Sequence, residues 1–168
     1  MNKSDKPGTS PRQTGSSLIE VLVSLFILAF GLLGIAGMQA NALRNNQGAF
    51  ERSAAVFLTS SILDAMRASM QPDAARPGEM LVRDGYATGN FICSTQDITA
   101  SDPLVKSDLE RWLQNIQENL NGGAQDANTC GKISCEPSDS NLCTVSVRWD
   151  DSRANGEPAQ VLETRSRL

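Results

Sequence analysis

The sequence predicts an α+β protein in which one long N-terminal helix packs on a small antiparallel β-sheet. Two observations carry this prediction. An apolar block from Leu18 to Met38 continues into a long proline-free stretch, and segments near the C-terminal end alternate polar and apolar residues as strands do. Hydrophobic residues make up 40% of the 168 and are densest in that block. The remainder is polar, so we expect the core of the C-terminal part to be small.

The apolar block is long enough to cross a lipid bilayer. Its 21 or so residues would form about 30 Å of helix at about 1.5 Å per residue. Helical periodicity then continues to Met70, and Gln71-Pro72 ends it, because a helix rarely continues through proline. We therefore expect one helix over about 17–69. The apolar stripe predicted to be buried in its second half comprises Leu43, Phe50, Ala54, Phe57, Leu58, Ile62, Met66 and Met70.

A second helix is predicted after Ser101-Asp102-Pro103, where a serine or aspartate can cap the helix and a proline fits its first turn. Asn121-Gly122-Gly123 is expected to stop it. The apolar residues that line one face of this helix are Leu109, Trp112, Leu113, Ile116 and Leu120.

Four segments have the character of strands. Cys143–Trp149 alternates most clearly, and Val161–Leu168 can return beside it after a turn at Asn155-Gly156. Met80–Arg83 and Phe91–Cys93 are weaker candidates for short strands.

The charge is distributed unevenly along the chain. Three basic residues and one acidic residue give the first fifteen residues a net charge of +2, which leaves −6 for the rest of a chain whose total is −4. A basic head before an apolar segment predicts that the head stays in the cytoplasm and the acidic body lies outside. The C-terminal part has no basic cluster with interleaved aromatic residues, so we expect no nucleic-acid partner.

The four cysteines, Cys93, Cys130, Cys135 and Cys143, all follow the apolar block, on the side where disulfides persist. No CxxC pair is present, which favours disulfides over a zinc site, and three pairings are possible. A bridge between Cys130 and Cys135 would constrain little, whereas one from Cys93 to the strand at Cys143 would close a long loop. We expect at least one disulfide between distant elements, with Cys93 or Cys143 the favoured participant.

The chain contains no histidine, which removes the commonest general base and metal ligand. We therefore predict no catalytic residues, metal or cofactor, and a protein that is not an enzyme. Asp150-Asp151 near Asn155 lack the spacing of a calcium loop and are interpreted as a solvated turn. Trp112 and Trp149 are interpreted as core residues rather than as a ligand platform.

One short motif points to a known family. Gly15-Ser16-Ser17-Leu18-Ile19-Glu20 opens directly into the apolar block and resembles the prepilin peptidase site of type IV prepilins. In that family the cut falls after the glycine, and a glutamate is the fifth residue of the mature chain. The apolar run up to Gln39 looks closest to the minor pilins called PilV. The resemblance is strong over about residues 13–60 and weaker afterwards.

The resemblance implies a pilin-like fold and a structural role. Residues 1–15 would be a leader that is removed, 16–70 a long helix that serves as membrane anchor to about 38, and 71–168 a small α+β domain with disulfides. Gly15 and Ser16 would be the processing residues. Glu20 would act in assembly, because cleavage creates an ammonium group at Ser16 that can pair with its carboxylate. Pairing matters because an unpaired carboxylate costs about 2.5–3.5 kcal/mol at the bilayer centre and less near the interface.

The implied function is that of a minor subunit that primes or modifies type IV pili, with adhesion and twitching motility as consequences. The implied partners are other minor and major pilins, the prepilin peptidase and the bacterial inner membrane before assembly. After anchoring with the C-terminal domain in the periplasm, the subunit would enter a pilus at the cell surface.

This chain departs from the family at two points. Ser16 stands where phenylalanine or methionine is usual, which leaves N-terminal methylation open. No proline interrupts the anchor, so Gly31, Gly34 and Gly37 either loosen the helix or allow close helix packing.

Three other interpretations remain open. A minor pseudopilin of a type II secretion system uses the same peptidase and the same helix packing. A plain single-pass anchor explains the apolar block alone. An anchored periplasmic enzyme is disfavoured by the missing histidine.

Overall fold

The computed structural model describes Gly15 and residues 17–120, 127–136, 139–151 and 157–168. It forms two compact units, residues 1–41 and 42–168. Helix α1, Leu18–Ala68, has 51 residues and extends across the boundary between them. This confirms the predicted long helix, which ends four residues before Pro72.

The N-terminal unit contributes the apolar part of α1. By length and composition this is the one described helix that could cross a membrane, and none of its most apolar window is buried. The helix passes without interruption through Gly31, Gly34 and Gly37, and a Cβ added at any of them would meet nothing within 4 Å. The glycines therefore do not interrupt the helix in the isolated chain, and no side chain packs against them.

Helix α2, Pro103–Asn119, begins where the sequence predicts. Asp102 is the N-cap, and its carboxylate accepts a 2.9 Å hydrogen bond from the backbone N–H of Leu104. Pro103 occupies the first turn, where its missing N–H costs nothing. The predicted stop at Asn121-Gly122-Gly123 lies outside the described residues. The predicted apolar face is confirmed, since Leu109, Trp112, Leu113, Ile116 and Leu120 are all buried.

In the described part of the chain, the strands form two antiparallel sheets. The smaller sheet consists of two strands of two residues each, β1, Gln71–Pro72, and β2, Met80–Leu81. Strand β2 is shorter than the predicted strand Met80–Arg83. The main sheet has the order β3-β4-β5, with β3 Cys130–Glu136, β4 Asp139–Asp151 and β5 Glu157–Arg167.

The main sheet contains both of the stronger predicted strands. Cys143–Trp149 lies within β4, and β5 covers all but the last residue of Val161–Leu168. The predicted turn at Asn155-Gly156 lies outside the described residues. The predicted strand at Phe91–Cys93 is wrong, because only Ile92 makes a bridge, to Gly131 of β3. That third strand, β3, was not predicted at all.

The core of the C-terminal unit lies between the second half of α1, α2 and the sheet. It includes Ile62 and Met66 of α1 and Val145 and Val147 of β4, all buried. The hydroxyls of Thr59 and Thr164 lie 3.3 Å apart, which fixes α1 against β5. The predicted α+β, pilin-like fold, a long helix on a small antiparallel sheet, is confirmed.

The predicted buried stripe of α1 is wrong in part. Leu58, Ile62 and Met66 are buried, but Leu43, Phe50 and Phe57 are 69%, 65% and 72% exposed. At about 100° per residue these three lie roughly 60–100° around the helix from Leu58, on the side away from Ile62. The predicted stripe thus joined two faces. The stripe also omitted Leu63, which is buried, and four buried positions that are small or polar, namely Gly48, Glu51, Ala55 and Thr59.

Two polar contacts hold the loop between β2 and α2 to the N-terminal half of α2. Arg83 pairs with the α2 cap Asp102 at 2.9 Å. The buried hydroxyl of Tyr86 donates a 2.6 Å hydrogen bond to the carboxylate of Asp108. Burial and this bond together raise the pKa of Tyr86 to about 12.

Candidate processing and assembly site

One of the two predicted processing residues, Gly15, can be placed in the structure, just before α1. The first backbone hydrogen bond of the helix runs from the N–H of Glu20 to the carbonyl of Ser17, at 2.9 Å. Gly15 is exposed and precedes the helix. Ser16, the predicted first residue of the mature chain, lies outside the described residues.

The environment of Gly15 does not itself demand glycine. A Cβ added there would meet nothing within 4 Å, and the backbone is not in the left-handed region. Any requirement for glycine at this position therefore comes from a molecule that approaches the backbone from outside. A protease that binds an extended peptide closely is such a molecule.

Glu20 lies in the first turn of α1 and is exposed. A negative charge is favourable at this end of a helix because the first N–H groups carry partial positive charge. Its carbonyl accepts a 2.7 Å hydrogen bond from Ser24 Oγ, which leaves the carboxylate uninvolved in that contact. Among the described residues, no basic group forms an ion pair with the carboxylate.

All four cysteines form disulfides. Cys93 pairs with Cys130, 37 residues away, which agrees with the prediction of one bridge between distant elements, although the partner is not Cys143. Cys135 pairs with Cys143, which stands directly opposite it in the β3–β4 register. Because the strand that carries Cys130 and Cys135 was not predicted, this pairing could not be derived from spacing.

Two weaker sequence interpretations can be checked. Trp112 and Trp149 are 3% and 2% exposed, which confirms them as core residues. The interpretation of Asp150-Asp151 as a solvated turn is wrong, because both residues belong to β4 and Asp151 is buried. Asn155, the third residue of that motif, lies outside the described residues.

The exposed side of α1 is a functional candidate that sequence reasoning missed. Leu43, Phe50 and Phe57 are spaced seven residues apart and form what we call the outer stripe of α1. The heptad spacing was the available signal, since it separates these three from the buried residues at spacings of three and four.

The comparison with known proteins concerns the same N-terminal segment. Residues 10–36 match the Prokaryotic N-terminal methylation motif, which spans Gly15, Glu20 and nearly all of the apolar block. This is a structural motif of the pilin type, and no enzymatic activity is known for it. No curated protein and no solved structure matched the chain. The chain therefore carries the N-terminal segment of a prepilin-processed protein of the type IV pilin or pseudopilin kind.

Proposed function

We propose that this protein is a minor type IV pilin of the PilV kind. The prepilin peptidase cuts it after Gly15, and α1 holds it in the bacterial inner membrane with the C-terminal unit in the periplasm. It then enters or primes a pilus at the cell surface and so contributes to adhesion and twitching motility. The observation that carries the proposal is the methylation motif at 10–36, at the junction between a polar segment and a 51-residue helix.

The exposure of α1 supports a role that needs neighbours. Every described residue from Ser17 to Gln47 is exposed, although the first 21 residues of the helix are mostly apolar. Apolar surface of this extent is rarely left in water. The bilayer covers it before assembly, and the helices of other pilins cover it in the filament.

The outer stripe of α1 supports the same role in the C-terminal unit. Leu43, Phe50 and Phe57 continue the exposed apolar surface beyond Met38, where the membrane-length block ends. Residues seven apart on a helix form a seam that a second helix can fill. We propose that a neighbouring pilin helix packs on this seam.

Glu20 supplies the polar part of the assembly contact. Cleavage after Gly15 creates an ammonium group at Ser16, four residues before Glu20, in this subunit or in a neighbour. A charged pair of this kind offsets the cost of taking the carboxylate out of water. The exposed position of Glu20 in the first turn of α1 supports this pairing.

N-terminal sequencing of the protein extracted from membranes tests the proposal. The expected mature chain begins at Ser16, and the same measurement shows whether its amine is methylated. Gly15→Val should block the cut, because a side chain would fill the place where the peptidase approaches the backbone. Normal processing of that variant would overturn the proposal.

The type II pseudopilin remains the second candidate, because the motif at 10–36 fits both kinds of protein. A deletion strain separates them. Lost twitching with intact secretion supports the pilin, and lost secretion with intact twitching supports the pseudopilin.

A further inference from the structure

The two disulfides of the C-terminal unit lie in different surroundings. Cys143 is buried in the apolar core, and its partner Cys135 packs against that core. Cys93, by contrast, is half-buried and lines a cleft of about 510 Å³, while its partner Cys130 is buried. A thiolate that arrives from solvent can therefore reach the Cys93–Cys130 bridge at the sulfur of Cys93.

A cation lies beside the sulfur atoms of this bridge. Arg148 Nη2 is 3.2 Å from Cys130 Sγ and 3.7 Å from Cys93 Sγ. The guanidinium lies over the ring of Phe91, 4.7 Å from its centre, and this attraction helps to orient it. A neutral disulfide sulfur is only a weak acceptor, whereas a thiolate is strongly stabilised by a neighbouring arginine. The contact therefore favours the reduced, negatively charged form of the sulfur.

The two sulfur atoms differ in the groups around them. The Asp97 carboxylate accepts hydrogen bonds from the N–H groups of Cys93 and Ser94 at 3.0 and 2.9 Å, so a negative charge already lies on the turn of Cys93. At Cys130 the guanidinium is closer, and the Ala127 carbonyl lies 3.2 Å from Sγ, where it can accept the proton of a thiol. Both forms of a reduced Cys130 thus have a partner, which makes its sulfur the better leaving group.

We propose that the Cys93–Cys130 disulfide is a site of thiol–disulfide exchange with an external dithiol. A thiolate of the dithiol attacks Cys93 Sγ, a new S–S bond forms, and the old bond breaks with its electron pair on Cys130, beside Arg148. The second thiolate of the dithiol then displaces Cys93. Two electrons and two protons have passed from the dithiol, which is now a disulfide, to the two cysteines.

The backbone next to the bridge makes this exchange reversible. Ile92 and Gly131, the neighbours of the two cysteines in the chain, exchange backbone hydrogen bonds of 2.8 and 3.0 Å. These bonds keep the cysteines close after reduction, so an oxidant can restore the bridge. The loop that the bridge closes contains all of α2, so exchange adds or removes a covalent tie at the base of that helix.

Reduction of the folded, full-length protein in detergent tests the proposal. Dithiothreitol serves as the dithiol, samples are quenched with acid over time, and free thiols are alkylated and assigned by mass mapping. We expect the Cys93–Cys130 bridge to open about tenfold faster than Cys135–Cys143. Equal rates, or earlier opening of Cys135–Cys143, would overturn the proposal.

An arginine variant separates stabilisation of the thiolate from a structural role. Arg148→Gln should slow the opening of Cys93–Cys130 about fivefold, because the leaving thiolate loses its cation. Arg165→Gln removes the same charge from β5 and should leave the rate unchanged. If Arg148 served only to hold the fold together, its loss would loosen the unit and speed the opening of both bridges. An unchanged or faster rate in Arg148→Gln, or equal slowing in Arg165→Gln, would overturn the proposal.

Two single variants test the direction of attack. Cys130→Ser leaves Cys93 as a thiol, and Cys93→Ser leaves Cys130. With glutathione disulfide, the mixed disulfide should form faster on Cys93, because this is the sulfur that lines the cleft. Faster or equal reaction of Cys130 would overturn the assigned order. None of these measurements involves cleavage at Gly15 or filament assembly, so their failure leaves the proposed function untouched.

Discussion

The indole of Trp112 joins the two helices of the C-terminal unit: its Nε1 donates a 3.0 Å hydrogen bond to the backbone carbonyl of Leu58. Trp112 belongs to α2 and Leu58 to α1, so a buried donor is satisfied across the helix interface. The same ring lies against Gly131 of β3, where a Cβ would stand 2.5 Å from its Cη2 and Cζ3 atoms. One side chain thus links α1, α2 and the sheet.

The first prediction follows from this contact. Gly131→Ala should lower the free energy of unfolding by about 2 kcal/mol, because the added methyl group cannot fit against a rigid, hydrogen-bonded indole. Urea unfolding of the full-length protein in detergent measures the change. Ser134→Ala, an exposed position on the same strand, is the control and should have little effect. If both variants unfold at the same urea concentration, the close packing of Trp112 on β3 is wrong.

The two disulfides should contribute unequally to stability. In the chain-entropy description, the bridge that spans 37 residues is worth about 4 kcal/mol and the bridge that spans 8 about 2.5 kcal/mol. Cys93→Ser with Cys130→Ser should therefore destabilise the C-terminal unit more than Cys135→Ser with Cys143→Ser. Thermal unfolding of the two double variants gives the order. The reverse order would show that native-state contacts, rather than loop length, decide the contribution of each bridge.

The cap of α2 predicts a pH dependence. The hydrogen bond from Arg83, together with that from the Leu104 N–H, lowers the pKa of Asp102 below its ordinary value of 3.8. A carboxyl group with a lower pKa in the folded state stabilises the protein above pH 3.8, and this contribution is lost as the pH falls through the folded-state pKa. The wild type should therefore lose stability below about pH 4.

Asp102→Asn tests this pH dependence, since asparagine still caps a helix but carries no charge. The variant should be less stable than the wild type at pH 6 and should lose less stability on acidification to pH 2. The pKa of Asp73 is also lowered, by hydrogen bonds from the N–H of Ala75 and from Arg76. Both proteins should therefore still lose some stability on acidification. Asp84→Asn removes an exposed carboxylate and is the control. Identical acid profiles for the wild type and Asp102→Asn would contradict the prediction.

The elements that the sequence predicted well are those with strong local patterns. α1 and α2 are long, periodic and marked by a cap or a proline, and β4 alternates without interruption around Val145 and Val147. β3 was missed because Cys130–Glu136 holds one large aliphatic residue, Ile133, among glycine, serine, lysine and cysteine. Its place in the sheet depends on pairing with β4 and on two disulfides, which are contacts that a local pattern does not record.

The candidate sites divide in the same way. The Gly15–Glu20 motif is contiguous, so the sequence alone could indicate it. The division of α1 into a buried and an exposed side was missed, because Phe50 and Phe57 are as apolar as the residues that are buried and only their heptad spacing sets them apart.

The pairing proposed for Glu20 predicts a defect in assembly rather than in processing. Glu20→Ala should still insert into the membrane and be cut after Gly15, but it should enter filaments poorly because the Ser16 ammonium loses its partner. Immunoblots of the membrane and sheared-pilus fractions measure the share of the protein that enters filaments. Glu20→Gln separates charge from size and should behave like the alanine variant. Filament incorporation at the wild-type level would show that the pairing is unimportant.

The outer stripe of α1 predicts a second assembly defect with a different signature. Phe50 and Phe57 contribute exposed apolar surface without packing in the monomer core, so Phe50→Ser with Phe57→Ser should leave the unfolding free energy almost unchanged. Incorporation into filaments should nevertheless fall, because a neighbouring helix loses two side chains that it would bury. Ile62→Ser is the opposite control: it removes a buried residue of the same helix and should destabilise the monomer. Together with normal N-terminal processing, stable monomers that assemble poorly would assign the stripe to subunit contacts. If the double variant assembles normally, the stripe has no partner in the filament, and the packing of neighbouring helices is confined to the residues before Leu43.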